Sequence, residues 1–266
     1  MKLKVNGKTA YFTTSGREID KKQPTIVFVH GSGLTHVSWV LQTRYFAFHG
    51  YNTVAVDLPG HGDSEGPPLE TIEEMADWIS DLLQTLDIEK SSFVGHSQGC
   101  LIGLEFAHRH PQKLELLALI NGSLAMKMNP ELLNLALNKD SKAVDLMIDW
   151  VHGPLGQVGG HPVPGLSHIG MGSQLVTSNN NGALGADFNA CDKYTNGEVA
   201  AESISNKTLC IMGKYDRMTP KKVGLELASK IKNSKSEIIE DSGHMSILET
   251  ASDTKNLLKT FFMENN

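Results

Sequence analysis

The sequence predicts an α/β fold in which a mostly parallel sheet of about eight strands is flanked by helices. Two observations support this prediction. Short apolar runs rich in β-branched residues recur along the 266 residues, and helical stretches separate most of them at a spacing typical of parallel sheets. The run Thr25–Val29 is apolar almost throughout, as expected of a strand that is buried on both faces.

The first elements follow in order from these patterns. Residues 1–16 contain two alternating runs around Asn6-Gly7, which predicts a β-hairpin. After the strand at 25–29, a helical stretch extends to Gly50, and the apolar run Thr53–Val56 predicts the next strand.

The best-defined helix begins at Thr71. Thr71 and Glu74 form a capping-box pattern, and a helical stripe of apolar residues continues from there. A strand that ends at Gly95, a helix that ends near Pro111 and a strand at 116–120 complete this half of the chain. The alternation predicts parallel pairing of these strands.

The alternation stops after Ser123. Asn129-Pro130 and Ser141 each predict a helix start, whereas residues 152–172 contain seven glycines and three prolines and predict no regular element. We interpret this region as a mainly helical lid whose apolar side chains cover the cleft above Ser97, among them Leu132, Leu133, Val144, Met147 and Trp150. The predicted division is a core of residues 1–122 and 206–266 with a lid at 123–205.

The alternating pattern resumes after the predicted lid. Thr208–Gly213 predicts a strand, and a helix is expected from about Pro220 to Lys232. Glu237–Ile239 predicts the final strand, and a C-terminal helix ends the chain.

Composition excludes several classes of function. The net charge is −6 and acidic and basic residues are interspersed, so no nucleic-acid partner is expected. No run of 18 apolar residues exists, and Met1–Val5 alternates like a strand, so neither membrane association nor a signal peptide is expected. The three cysteines are scattered without metal-ligand spacing, which favours a cytoplasmic protein with no metal and no cofactor.

Ser97 lies between a predicted strand that ends at Gly95 and a predicted helix that begins after Gly99. Such a turn holds the serine in a strained backbone conformation, so its close neighbours must lack side chains. The hydroxyl then stands clear of the sheet, and the backbone N–H of Gln98 points toward any oxyanion formed there. This context predicts a nucleophile elbow.

Two further reactive side chains follow predicted strands. Asp216 comes after the strand at 208–213, and His244 comes after the strand at 237–239. Because parallel strands present their carboxyl ends at one edge of the sheet, both should lie near Ser97. A serine hydroxyl needs a base to take its proton, and a carboxylate commonly holds that base in one tautomer. The three side chains therefore predict acyl-transfer chemistry.

Five sequence blocks, in this order, resemble the α/β-hydrolase superfamily: His30-Gly31-Ser32-Gly33, Asp57-Leu58-Pro59-Gly60-His61-Gly62-Asp63-Ser64, Gly95-His96-Ser97-Gln98-Gly99, Gly213-Lys214-Tyr215-Asp216-Arg217 and Gly243-His244. The resemblance covers almost the whole chain. It implies Ser97 as nucleophile, His244 as general base and acid, and Asp216 as the orienting carboxylate. It also implies an oxyanion hole made by the backbone N–H groups of Ser32 and Gln98.

Other residues near these blocks are expected to be structural. His30 and His61 should hydrogen-bond within their own loops, and His96 should face away from the turn. Cys100 should be a small core residue of the helix that follows Ser97. Asn121 stands at a strand end where some members of the superfamily place the acid, and an amide cannot act as that carboxylate.

The function that these residues favour is a carboxylesterase acting on small-molecule esters of short to medium acyl length. An alternative is hydrolysis of a carbon–carbon bond in a vinylogous diketone, since such enzymes share the His-Gly-Ser-Gly block, although Leu34-Thr35 departs from the Pro-Gly that commonly follows it. A ligand-binding receptor of the same fold is a third hypothesis. The assembly state is left open, with a homodimer among the options.

Overall fold

A computed structural model describes residues 1–157, 167–179 and 182–265. In these residues eight strands form one sheet, which confirms the predicted number. The strands are β1 (Lys2–Val5), β2 (Lys8–Thr13), β3 (Thr25–Val29), β4 (Asn52–Asp57), β5 (Ser91–His96), β6 (Leu114–Ile120), β7 (Thr208–Gly213) and β8 (Ser234–Ile239).

The sheet has the strand order β1-β2-β4-β3-β5-β6-β7-β8. The pairs β1–β2 and β2–β4 are antiparallel, and the remaining neighbours are parallel. The mostly parallel sheet is therefore confirmed. Because β3 and β5 to β8 run in the same direction, the loops that follow them lie along one edge of the sheet.

Helices cover both faces of this sheet. They are α1 (Val40–Ala47), α2 (Ile72–Thr85), α3 (Gln98–Arg109), α4 (Pro130–Leu137), α5 (Lys142–Val151), α6 (Pro154–Gln157), α7 (His168–Thr177), α8 (Ala183–Lys193), α9 (Gly197–Ser203), α10 (Lys221–Lys230), α11 (Ser246–Glu249) and α12 (Ala251–Met263). Two 3₁₀ turns, at His36–Trp39 and Pro111–Lys113, complete the regular elements of the described residues.

Alternate residues of the central strand β3 supply the two apolar cores. Val27 and Val29 pack on the side covered by α2 and α3, whereas Ile26 and Phe28 pack on the side covered by α1 and α12. Successive side chains of a strand point to opposite faces, so a strand between two helix layers must be apolar at nearly every position. This is the reason for the unbroken apolar run.

Several local predictions are confirmed. Asn6 and Gly7 have φ values of 50° and 80°, as a tight hairpin turn requires. Thr71 and Glu74 form the capping box at the start of α2. The final strand begins at Ser234, earlier than predicted, and the C-terminal helix consists of two helices, α11 and α12.

The segment between β6 and β7 contains helices α4 to α9. Asn129 caps α4, as predicted. The prediction of no regular element at 152–172 is wrong at both ends, because α6 and the first half of α7 lie there. Residues 158–166, like the middle of the turn expected at 179–182, fall outside the described residues. Gly172 shows the reason: a Cβ on it would lie 3.0 Å from Ile148 Cδ1, so close packing on α5 outweighs the low helix propensity of glycine.

In the described part of the chain, no helix combines the length and the apolar character needed to cross a membrane. Cys100, Cys191 and Cys210 are buried and unpaired. The cytoplasmic location, the division into core and lid, and the homodimer remain predictions.

Candidate active site

Ser97 occupies the turn between β5 and α3 with φ 54° and ψ −119°. This is the left-handed region that a residue with a side chain rarely adopts, so the predicted strained turn is present. The backbone N–H of Ser97 donates to the carbonyl of Ile120 at 3.0 Å, which ties the turn to the neighbouring strand β6.

The glycines around this turn are required by close backbone contacts. A Cβ on Gly95 would lie 2.2 Å from the carbonyl oxygen of Gly99, and a Cβ on Gly99 would lie 2.4 Å from that of Val29. A Cβ on Gly31 would lie 3.0 Å from the Cβ of Ser97. The backbone that leads into Ser32 therefore runs directly against the serine.

Asp216 and His244 meet at the same edge of the sheet. The Nδ1 atom of His244 lies 2.8 Å from Oδ2 of Asp216, and both residues are buried. The other oxygen of Asp216 accepts the backbone N–H groups of Met218 and Thr219, each at 2.8 Å. The carboxylate is thereby fixed in one orientation toward the imidazole.

Ser97 and His244 line one cavity. Among the hydrogen bonds of the described residues, none joins the Ser97 hydroxyl to His244. Hydrogen bonds between reactive groups are often long in a free enzyme and tighten when substrate binds, so this separation is compatible with a base acting on the serine. The structure thus brings Ser97, His244 and Asp216 to one place.

Asn121 has a role that sequence reasoning missed. Its side-chain amide donates to the carbonyl oxygen of His244 at 2.5 Å and to the hydroxyl of Ser246 at 2.6 Å. Its side-chain oxygen accepts the backbone N–H of Gly213 at 2.7 Å. Asn121 therefore connects the ends of β6 and β7 with the loop that carries His244. A polar residue ending an apolar strand was the available signal.

The prediction that His96 faces away from the site is wrong. His96 lines the cavity beside Ser97, and its Nε2 lies 2.8 Å from the carbonyl oxygen of His244. Since a carbonyl only accepts, Nε2 carries the proton and Nδ1 has a free lone pair. Burial, followed by the proximity of His244, lowers the pKa of His96 to about 3, so its ring is neutral.

The two predicted oxyanion donors are available. No hydrogen bond among the described residues has the N–H of Ser32 or of Gln98 as its donor. Gln98 is the first residue of α3, where backbone N–H groups have no partner within the helix and the helix dipole favours negative charge. Ser32 also lines the cavity.

His30 and His61 each satisfy the prediction of a hydrogen bond within their own loop only in part. Nδ1 of His30 lies 2.9 Å from the carbonyl oxygen of Gly31, but its Nε2 accepts the backbone N–H of Leu58, after β4, at 3.2 Å. The Nδ1 atom of His61 lies 3.1 Å from the carbonyl oxygen of Pro59, but its Nε2 lies 2.9 Å from Oδ2 of Asp187 on α8. Asp187, which is fully buried, also accepts the backbone N–H of Gly33 at 2.8 Å. Sequence reasoning missed Asp187.

The cavity walls are mostly apolar. They come both from loops at the ends of the strands and from the segment between β6 and β7. The space measures about 400 Å³, its opening to solvent included. Of the side chains expected to cover the cleft, Met147 lines it and Leu132, Leu133, Val144 and Trp150 do not. The other residues that line it are Gly31, Ser32, Leu34, His96, Ser97, Ile148, Val151, Gly172, Val176, Phe188, Met218, His244 and Met245.

The segment between β6 and β7 also contacts the loop of His244 directly. The backbone N–H of His244 donates to the carbonyl of Val151 at 2.8 Å. The carboxylate of Glu249 accepts the N–H groups of Gly153 at 2.8 Å and of Gly243 at 3.4 Å, and so bridges the two.

Within the described residues, no three His, Cys, Asp or Glu side chains are grouped as metal ligands would be.

Comparison with known proteins agrees with this architecture. Residues 24–156, half of the chain, match the family model of the alpha/beta hydrolase fold. A curated relative, the (E)-2-((N-methylformamido)methylene)succinate hydrolase of Acinetobacter baylyi, is 30% identical over 118 residues. That match covers 44% of this chain and 43% of the relative, so the aligned region spans less than half of the relative's length.

Solved structures are similar over the whole chain. The enol-lactonase of Burkholderia xenovorans superposes with a TM-score of 0.87 at 24% identity, covering 99% of this chain and 100% of that one. A thermophilic esterase from Thermogutta terrifontis superposes with a TM-score of 0.85 at 20% identity, covering 99% and 98% of the two chains. At these identities the similarity establishes the fold.

Proposed function

Because the chain belongs to the α/β-hydrolase family, we propose that it is a serine hydrolase that cleaves carboxylic esters with short to medium acyl groups. One observation supports this most strongly: Ser97 and His244 line one apolar cavity, and Nδ1 of His244 lies 2.8 Å from Oδ2 of Asp216. A nucleophile, a base and a carboxylate in this arrangement perform acyl transfer.

The proposed reaction has two halves. His244 accepts the proton of the Ser97 hydroxyl as the oxygen attacks the ester carbonyl, and then gives that proton to the departing alcohol. An acyl group remains bonded to Ser97. A water molecule, deprotonated by His244, attacks this acyl group, and His244 returns the proton to the oxygen of Ser97 as the bond to the acyl group breaks and the acid is released. Asp216 keeps Nδ1 of His244 protonated, so that Nε2 is the basic atom toward the cavity.

Both halves pass through a tetrahedral oxyanion. We assign its stabilisation to the backbone N–H groups of Ser32 and Gln98, which have no acceptor among the described residues. Loss of one such donor typically slows a reaction by about 10² to 10³. The strained φ of Ser97 supports this role, because it turns the start of α3 toward the serine.

The chemistry of the cavity favours an uncharged acyl group. No lysine or arginine is among the residues that line it, and positions 158–166 and 180–181 contain none either. A carboxylate on the substrate would lose its hydration there without gaining a cation. The succinate named for the curated relative carries two carboxylates, so we expect a different, neutral substrate here.

A series of nitrophenyl esters from acetate to palmitate tests the proposal. Each methylene adds about 0.8 kcal/mol of binding until the pocket is full, so kcat/KM should peak at a few carbons and fall beyond. Ser97→Ala should lower turnover of the best ester by several orders of magnitude with the fold retained. Turnover that survives in Ser97→Ala contradicts the proposal, as does cleavage of a vinylogous diketone without turnover of any ester.

A matched variant tests whether the cavity is the acyl site. Phe188 is buried on α8 and lines the cavity, so Phe188→Ala should enlarge it and move the preferred acyl length toward longer chains. Phe106 is equally buried but lies in the core beside Phe93, away from the cavity. Phe106→Ala should therefore lower stability and leave the preferred length unchanged.

A further inference from the structure

We infer that Asp187, which lies on α8, is a positioning residue for the oxyanion hole and acts on the loop after β3. The inference rests on the proposed function, in which the N–H of Ser32 stabilises an oxyanion. Asp187 does not touch the cavity. It acts through the two peptide groups that flank Ser32.

The peptide group after Ser32 is held by Asp187. The N–H of Gly33 donates to Oδ2 of Asp187 at 2.8 Å, and Asp187 is fully buried. Gly33 has φ 67°, and a Cβ there would lie 2.7 Å from Cδ1 of Leu184, one turn earlier on α8. The backbone of the loop therefore packs directly against this helix, and the carboxylate receives its N–H.

The peptide group before Ser32 is held by His30. The N–H of Leu58 donates to Nε2 of His30 at 3.2 Å, so Nδ1 of His30 carries the proton and donates to the carbonyl of Gly31 at 2.9 Å. In a planar trans peptide the carbonyl and the N–H point in opposite directions. Fixing the carbonyl of Gly31 therefore fixes the direction of the Ser32 N–H.

His61 connects His30 with Asp187, the two residues that hold the peptide groups on either side of Ser32. Its ring centroid lies 5.0 Å from that of His30, and its two nitrogens face two acceptors, the carbonyl of Pro59 and the carboxylate of Asp187. Two acceptors require two N–H groups, which is the charged imidazolium. Burial alone would lower the pKa of His61, but the Asp187 carboxylate outweighs it and leaves that pKa raised.

His30 is neutral mainly because it is buried. Burial first, and then the charge of His61, lower the pKa of His30 to about 4, whereas the charge of Asp187 opposes this shift. Nδ1 of His30 therefore keeps the single proton that it donates to the carbonyl of Gly31. The pKa of Asp187 is lowered, because His61 and the N–H of Gly33 overcome the effect of burial. One oxygen of Asp187 is buried without a hydrogen-bond partner among the described residues.

Asp187→Asn tests the inference because it keeps the shape and removes the charge. We expect kcat to fall about 10- to 100-fold with KM within about twofold, since small misplacements of catalytic groups have effects of this size. Acylation and deacylation both pass through an oxyanion, so kcat should fall whichever step is slower. The inhibition constant of a trifluoromethyl ketone, which forms an oxyanion adduct with the serine, should rise by the same factor. That of a simple alcohol should not change.

Asp192 provides the matched control. It lies on the same helix and its carboxylate accepts the backbone N–H of Met128 at 3.0 Å, away from the cavity. Asp192→Asn should leave both inhibition constants and kcat unchanged. A purely structural role for Asp187 predicts a lower Tm with an unchanged ratio of the two inhibition constants, and that result overturns the inference.

A second variant covers the case in which Asp187→Asn does not fold. His61→Gln retains a donor toward Asp187 but removes the cation, so it should raise the inhibition constant of the trifluoromethyl ketone and not that of the alcohol. An unchanged ratio in His61→Gln contradicts the inference. If Ser97→Ala loses turnover but Asp187→Asn has the kinetics of the wild type, this inference alone is refuted. If Ser97→Ala retains the turnover of the wild type, the proposed function is refuted and the inference with it.

Discussion

Two buried histidine–aspartate pairs lie near Ser97, and they differ in what the second ring nitrogen faces. His244 and Asp216 are 2.8 Å apart, and His61 and Asp187 are 2.9 Å apart. His61 uses its other nitrogen to contact the carbonyl of Pro59, whereas His244 lines the cavity and its Nε2 makes no hydrogen bond with a described residue.

This difference separates the proposed base, His244, from a structural cation, His61. An imidazole with acceptors at both nitrogens is held in its charged form and cannot take another proton. An imidazole with one nitrogen held by a carboxylate and one directed to a cavity can accept a proton there. A histidine–aspartate contact is therefore insufficient to identify a catalytic base, and the surroundings of the remaining nitrogen decide the role.

Each pair also has a neutral histidine beside it. His30 lies 5.0 Å from His61 and His96 lies 5.0 Å from His244, measured between ring centroids. Each of these neighbours donates to a backbone carbonyl, that of Gly31 or that of His244. Two similar clusters of three side chains thus fix the loop after β3 and the loop of the proposed base.

The sharpest way to separate the two pairs is to remove each imidazole. His244→Gln and Asp216→Asn should lower kcat about 10⁴-fold with a smaller change in KM, because a triad without its base or with the wrong tautomer loses this much. His61→Gln should lower kcat no more than about 100-fold, since its effect on the oxyanion is indirect. Steady-state kinetics with the preferred ester measure all three. Equal losses of kcat in His244→Gln and His61→Gln would show that the two pairs do not differ in role.

The neutral histidines predict how stability changes with pH. Both have a lowered pKa in the folded state, about 4 for His30 and about 3 for His96, against 6.5 in the unfolded chain. Below pH 6.5 the unfolded chain therefore binds more protons, and folding stability falls as pH decreases toward these values. Since one pH unit corresponds to about 1.4 kcal/mol, each should remove roughly 3 kcal/mol between pH 7 and pH 4.

Urea unfolding at pH 7 and pH 4 measures this effect. His30→Asn and His96→Gln retain a donor for the carbonyl but cannot titrate, so each should lose less stability on acidification than the wild type. His49 is exposed, and His49→Asn should show the wild-type pH dependence. A wild-type pH dependence in both buried variants would mean that neither ring stays neutral in the folded protein.

The residues that carry the proposed chemistry could be predicted because each lies in a short motif at a strand end. Ser97 between two glycines, Asp216 and His244 are recognisable from a few neighbours and the alternation of strands and helices. Asp187 could not be predicted, because its partners Gly33 and His61 are distant in sequence and meet it only when α8 packs on the sheet. The glycine-containing helix α7 was missed for the same reason: its stability comes from packing against α5.

The most direct test of the central claim is covalent labelling with a fluorophosphonate, followed by mass spectrometry of the proteolysed adduct. The reagent needs a serine activated by a base and stabilised by an oxyanion hole, so one adduct per chain should form and map to Ser97. His244→Gln should label far more slowly, and His61→Gln only moderately more slowly. An adduct at another residue, or ester hydrolysis by a protein that takes up no label, would contradict the assignment of Ser97 and His244.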